Sequence, residues 1–126
     1  MSDCPLIAIV DDDSFVRDAT RALVRSFGLD AVTFASAEEF LDSEAMESAS
    51  CLIADVQMPG LSGLDLQSRL IAKGNSTPII FITAFPNESI RRQAITTGAV
   101  GFLSKPFKEE ALISCIEEAL GSRFPQ

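Results

Sequence analysis

Leu6-Ile7-Ala8-Ile9-Val10-Asp11-Asp12-Asp13 is the stretch that decides how this chain folds. Five apolar residues follow one another without polar alternation, which describes a strand covered on both faces, and the break into acids marks its end. Working outward, the phrase recurs: Cys51-Leu52-Ile53-Ala54 runs into Asp55, Pro78 to Ile82 into Thr83, and Gly101 to Ser104 into Lys105-Pro106. Ala31 to Phe34 reads as a further strand. Helical patterns fill the gaps. Val16, Ala19, Leu23 and Phe27 are spaced for one helix face, Arg17, Arg21 and Arg25 fall on another, and Gly28 stops the run. Arg17, Arg21 and Arg25 read as a solvated face, with contact to an acidic partner as the alternative. Asp13 or Ser14 caps this helix, and Ser36 with Glu39 predicts a capping box for a short helix through Leu41. Leu64, Leu66 and Leu70 predict a helix closed by Gly74, Glu88 to Thr97 one closed by Gly98, and Lys108 to Leu120 one closed by Gly121. Strand and helix alternate with short links, the pattern of a parallel sheet covered on both faces.

Composition narrows the chemistry. The 126 residues suit a single domain, expected over residues 1–121, with 122–126 the start of a linker or tail. No run approaches the roughly 18 apolar residues of a membrane span, and the N-terminus lacks the basic segment of a signal peptide. Three scattered cysteines without a CxxC pair read as reduced core filler, so a cytoplasmic setting is expected. A net charge of −8 argues against this stretch gripping nucleic acid. The chain has no histidine, which removes Ser-His-Asp and Cys-His catalysis, HExxH zinc sites and phosphohistidine formed within it. Carboxylates, hydroxyls, lysine and a hard metal ion remain.

In open parallel sheets ligands bind beyond the carboxyl ends of the strands. Those ends read Asp11-Asp12-Asp13, Asp55, Thr83 and Ser104-Lys105-Pro106. Gathered carboxylates repel each other unless a cation sits among them, and oxygen ligands without His or Cys suit Mg²⁺. Such a rim can admit a phosphoryl group: a carboxylate oxygen attacks phosphorus to form an acyl phosphate, Lys105 balances the equatorial oxygens and the Thr83 hydroxyl bonds one of them.

With Val10-Asp11-Asp12, Asp55 followed by Met58-Pro59 and Gly63, Thr83-Ala84 and Lys105-Pro106-Phe107 in this order, residues 5 to 120 resemble the receiver domain of bacterial two-component response regulators. The resemblance implies a flavodoxin-like doubly wound sheet of order 2-1-3-4-5, with Asp55 as phosphoacceptor and metal ligand. Asp12 would be a direct Mg²⁺ ligand, Asp11 one acting through water, and the Gln57 carbonyl the last protein ligand. It further implies a cis Lys105-Pro106 peptide, and a switch in which Thr83 moves toward the phosphoryl group while Phe102 turns inward. Phe102 stands where the family often has a tyrosine, so its switch would be apolar. Gln57 and Phe85, two residues beyond Asp55 and Thr83, would flank the path of a hydrolytic water, with Phe85 shielding the acyl phosphate.

The partners this resemblance implies are a sensor histidine kinase and a second copy of the phosphorylated chain. Phe34-Ala35-Ser36-Ala37-Glu38-Glu39-Phe40-Leu41 and Gly98-Ala99-Val100-Gly101-Phe102 resemble the FixJ/NarL-type subgroup, in which the receiver precedes a LuxR-type DNA-binding domain. A stand-alone receiver acting through protein contacts is the alternative. A haloacid-dehalogenase-type phosphatase would need Thr or Val where Phe15 stands. An FMN module would need a Ser/Thr/Gly-rich phosphate loop where three acids stand, and a pseudo-receiver would not retain Asp12, Asp55, Thr83 and Lys105 together.

Overall fold

The computed structural model describes residues 4–121, so the expected linker or tail at 122–126 lies outside the described residues. Five strands, β1 (Leu6–Val10), β2 (Asp30–Phe34), β3 (Cys51–Asp55), β4 (Ile79–Thr83) and β5 (Gly101–Ser104), form one sheet in the order β2-β1-β3-β4-β5. Every pairing is parallel, as the alternating pattern requires. The helices are α1 (Ser14–Ser26), α2 (Ala37–Leu41), α3 (Ala45–Ser48), α4 (Gly63–Ala72), α5 (Glu88–Thr96) and α6 (Glu109–Leu120).

The two-residue period of a strand sends alternate side chains to opposite faces, and here each face has its own core. Ile7, Ile9, Ile53, Ile80 and Ile82 pack against Val24 of α1 and Leu112 and Ile116 of α6. Ala8, Val10, Leu52, Ala54 and Phe81 pack on the other side against Phe40 of α2, Leu66 and Leu70 of α4 and Ala94 of α5. Central strands β3 and β4 are buried at every residue, which is why they carry no polar alternation. The edge strand β2 is only half covered. The result is three layers, with the carboxyl ends of β1, β3, β4 and β5 brought to one rim.

Local chemistry sets the helix starts. Asp13, not Ser14, caps α1, its carboxylate accepting from the N–H groups of Phe15 and Val16. Ser36 accepts from the Glu39 N–H as expected, but the Glu39 carboxylate accepts from Ala35 N–H, one residue before the cap. A complete capping box lies instead at α4, where Ser62 and Asp65 satisfy each other's backbone N–H. Helix α3 was not expected. It is four residues long, barely one turn and too short for a helical pattern to repeat, and no side chain caps it.

Candidate functional site

Asp11 is the first residue past β1, and it is the most constrained group at the rim. Its N–H donates to the Phe34 carbonyl (3.1 Å), continuing the β1–β2 ladder. One carboxylate oxygen accepts from Asp13 N–H (2.9 Å), and the Asp11 carbonyl accepts from the Arg17 guanidinium (2.9 Å). The side chain is fully buried. Burial pushes its carboxyl above the ordinary value, against the lowering effect of the Asp13 N–H and Lys105.

Asp55 ends β3, on the parity of Ile53 and hence toward the face that carries α1 and α6. One of its oxygens accepts from Gln57 N–H (3.0 Å) and the other from Lys105 Nζ (2.9 Å). The same ammonium lies 3.0 Å from Asp11 Oδ2, so one lysine bridges two buried carboxylates. Burial alone would lower the Lys105 pKa, but the contacts with Asp55 and Asp11 outweigh it and the net shift is upward. The Lys105-Pro106 peptide is cis. Asp12 is exposed, yet one of its oxygens lies within 4.8 Å of oxygens from both Asp11 and Asp55.

These three carboxylates fit a hard cation. Asp11 Oδ2 is buried and, although close to Lys105, takes part in no properly directed hydrogen bond. Three acids with one shared ammonium leave net negative charge on an oxygen-only site, the donor set that Mg²⁺ prefers. Gln57 sits just past Asp55 with its side chain exposed.

Thr83 lies on the other side of the sheet. Asp55 pairs with Ile82, so Thr83 stands one residue further along the neighbouring strand with the parity of Phe81. It is buried, and its hydroxyl accepts from Phe85 N–H (3.1 Å). Phe102 pairs with Phe81 across β4–β5 and packs against it, ring centroids 6.5 Å apart, on the face Thr83 shares. It is half-buried rather than sealed in the core. Phe85 is 70% exposed, its side chain standing largely in solvent.

Two features escaped the sequence reading. Arg17 is not solvated with Arg21 and Arg25; it is half-buried behind the acidic turn. Glu38 on α2 accepts from Leu61 N–H (3.4 Å), tying α2 to the loop that follows Asp55. Position on a helix face signals neither contact, since both depend on where a loop returns. Of the cysteines, Cys51 is core filler, its thiol pushed up to about 12 by burial, whereas Cys4 donates to the Gly28 carbonyl.

The family model of the response regulator receiver domain matches residues 7–117. The chain belongs to this family. Related receivers include that of TodT of Pseudomonas putida, 46% identical over 95% of this chain and 53% of that protein. TmoT of Ectopseudomonas mendocina is 45% identical over 91% of this chain and 52% of its own length. The receiver spans about half the length of the curated relatives it matches. Among solved structures, the response regulator StyR superposes with a TM-score of 0.86 at 43% identity, over 93% of this receiver and 59% of that chain. FixJ-N superposes at 0.84 with 31% identity over 97% of each.

Proposed function

We propose that this receiver takes a phosphoryl group onto Asp55 from a phosphohistidine of a separate sensor kinase. The observation that carries the reading is the Lys105 ammonium between Asp55 (2.9 Å) and Asp11 (3.0 Å), with Asp12 completing a cluster of three carboxylates. Asp11, Asp12, Asp55 and the Gln57 carbonyl would hold Mg²⁺, whose charge would draw the phosphoryl oxygens in and offset charge on the transferring group.

The chain's own residues supply the rest. An Asp55 carboxylate oxygen forms the new P–O bond while the P–N bond of the donor imidazole breaks and its electron pair stays on the imidazole. The donor must be another molecule, because this chain has no histidine. Lys105 balances one phosphoryl oxygen, and the Thr83 hydroxyl turns from Phe85 N–H to bond another. Because Thr83 shares its face with Phe81 and Phe102, its movement opens space there, and Phe102 turns in. The message passes to the α5–β5–α6 surface and favours a second phosphorylated copy. The domain turns over no external substrate beyond this transfer and its own dephosphorylation.

An apolar groove of about 430 Å³, lined by Val16, Ala19, Leu23, Pro106 and Phe107, opens beside Lys105. It is a landing surface for the donor next to the acceptor. The relatives are about twice as long and some, such as FixJ of Bradyrhizobium diazoefficiens, are called transcriptional regulatory proteins. We therefore read this receiver as the phosphorylated half of a regulator whose DNA contact lies in another domain.

Incubation with acetyl phosphate, with and without Mg²⁺, tests the reading by intact mass. One phosphoryl group per chain is expected, lost with EDTA and lost in Asp55→Asn. Equal labelling of Asp55→Asn, or labelling indifferent to EDTA, overturns it.

A further inference from the structure

We infer that Arg17 is a positioning residue for the divalent-cation site: its guanidinium holds the β1–α1 turn in the conformation that presents Asp11 and Asp12 to the ion. The inference rests on the reading of Asp11, Asp12 and Asp55 as a cation site.

The turn needs such a restraint. Asp11 and Asp12 bring their carboxylates close to that of Asp55, with the Asp13 carboxylate next along the chain capping α1, so mutual repulsion favours splaying the turn outward. Asp13 N–H bonds the Asp11 carboxylate and the Phe34 carbonyl takes Asp11 N–H. Both act on the near side of the turn. The Asp11 carbonyl, which begins the peptide leading into Asp12, has Arg17 as its side-chain partner (2.9 Å). Arg17 sits in the first turn of α1, and its own N–H donates to the Asp13 carbonyl (2.9 Å), so helix and turn are locked in both directions. The guanidinium is half-buried behind the acids and no ion pair joins it to a carboxylate among the described residues, so its bond goes to backbone geometry. Asp12 itself is exposed and has no comparable restraint among the described residues; its place depends on the peptide that Arg17 fixes.

Position and charge pull in opposite directions here, which makes the claim sharp. As a nearby positive charge, Arg17 repels a cation, and removing it should tighten binding if charge were its main effect. As a brace, removing it should weaken binding. Groups that orient a metal's ligands without touching the ion typically account for about 10- to 100-fold in affinity. The lower end is expected for a brace on a carbonyl rather than on a ligand atom.

The test titrates MgCl₂ alone into the unphosphorylated domain and follows the Asp12 and Gln57 amide resonances, with thermal stability measured in parallel in EDTA. Arg17→Met keeps the apolar stem, and Arg17→Lys keeps a cation able to reach the carbonyl. Mg²⁺ affinity about tenfold weaker in Arg17→Met and largely restored in Arg17→Lys supports the inference. Unchanged or tighter affinity in Arg17→Met overturns it, including where stability falls, since that leaves Arg17 a structural residue only. If the wild-type resonances do not respond to Mg²⁺ at all, the cation site itself is wrong and the inference falls with it. A variant too unstable for the titration is replaced by Arg17→Gln, read in the same way.

Discussion

Asp11 shows the site's chemistry at odds with the fold's stability. Its carboxyl lies above the ordinary value of 3.8, chiefly through burial. A raised carboxyl holds its proton more tightly folded than unfolded. Stability therefore falls as pH rises from 3.8 through the folded value, and ionised Asp11 is a standing cost at neutral pH. In metal-free protein, Asp11→Asn should therefore stabilise the domain by about 1 kcal/mol, or roughly 4 °C in Tm. It should also flatten that part of the pH–stability curve and weaken Mg²⁺ binding. A lower Tm in EDTA at pH 7 contradicts this account. Phe85 carries a second prediction at this scale. Its ring is exposed here, and if it shields the acyl phosphate it must swing over the site, so Phe85→Ala should dephosphorylate several-fold faster, by about 1 kcal/mol of barrier. An unchanged or slower decay removes the shielding role. That Asp11, Asp55, Thr83 and Lys105 share a rim was readable in sequence because each lies at or directly after the end of a strand, with Asp12 next in line after Asp11. Arg17 was not, because a period on a helix face cannot tell an arginine in water from one that folds back onto a carbonyl.

At the level of elements, the site depends on how closely α4 approaches the end of β3. A Cβ on Gly63 would stand 2.5 Å from the Asp55 carbonyl oxygen, 2.9 Å from the Phe81 ring and 3.0 Å from Val56 Cα. Backbone and a fully buried ring cannot give way cheaply, so Gly63→Ala should destabilise by about 2–3 kcal/mol in urea titration and displace Asp55. A loss under ~0.5 kcal/mol would show that α4 has slack. Helix α1 and the β5–α6 connection bound the apolar groove beside Lys105. Ala19→Arg should crowd it and cut transfer from a phosphorylated kinase about tenfold while leaving acetyl phosphate labelling intact. Equal losses with both donors would mean that the substitution damages the site and not the docking. Continuous apolar runs made β1, β3 and β4 legible, while β2 and β5 were read from shorter apolar stretches between helical patterns. The four-residue α3, and the Ser62–Asp65 box at α4, were not, because one is too short for its period to repeat and the other needs the helix start to be known first.

For the whole molecule, alternation conveyed a parallel sheet with a core on each face, while the order 2-1-3-4-5 came from the family resemblance; the observed β2-β1-β3-β4-β5 sheet agrees with both. What alternation cannot convey is which face each rim residue serves. Asp11 and Asp55 follow the parity of Ile9 and Ile53, whereas Thr83 follows Phe81 and Phe102, so the proposed acceptor and the hydroxyl proposed to sense it stand on opposite sides of one sheet. In the proposed switch, that division would turn a local bond into a surface change. Phe102→Ala should accordingly accept phosphate normally yet lose phosphorylation-dependent dimerisation, seen by light scattering, and a dimer equal to wild type would separate Phe102 from the switch. The central claim concerns the acceptor itself. After labelling with acetyl phosphate and Mg²⁺, borohydride reduction and peptide mass spectrometry report which carboxyl carried the phosphoryl group. The account predicts reduction at Asp55 alone; full-stoichiometry label on Asp12, on a hydroxyl, or elsewhere in wild-type protein would contradict it.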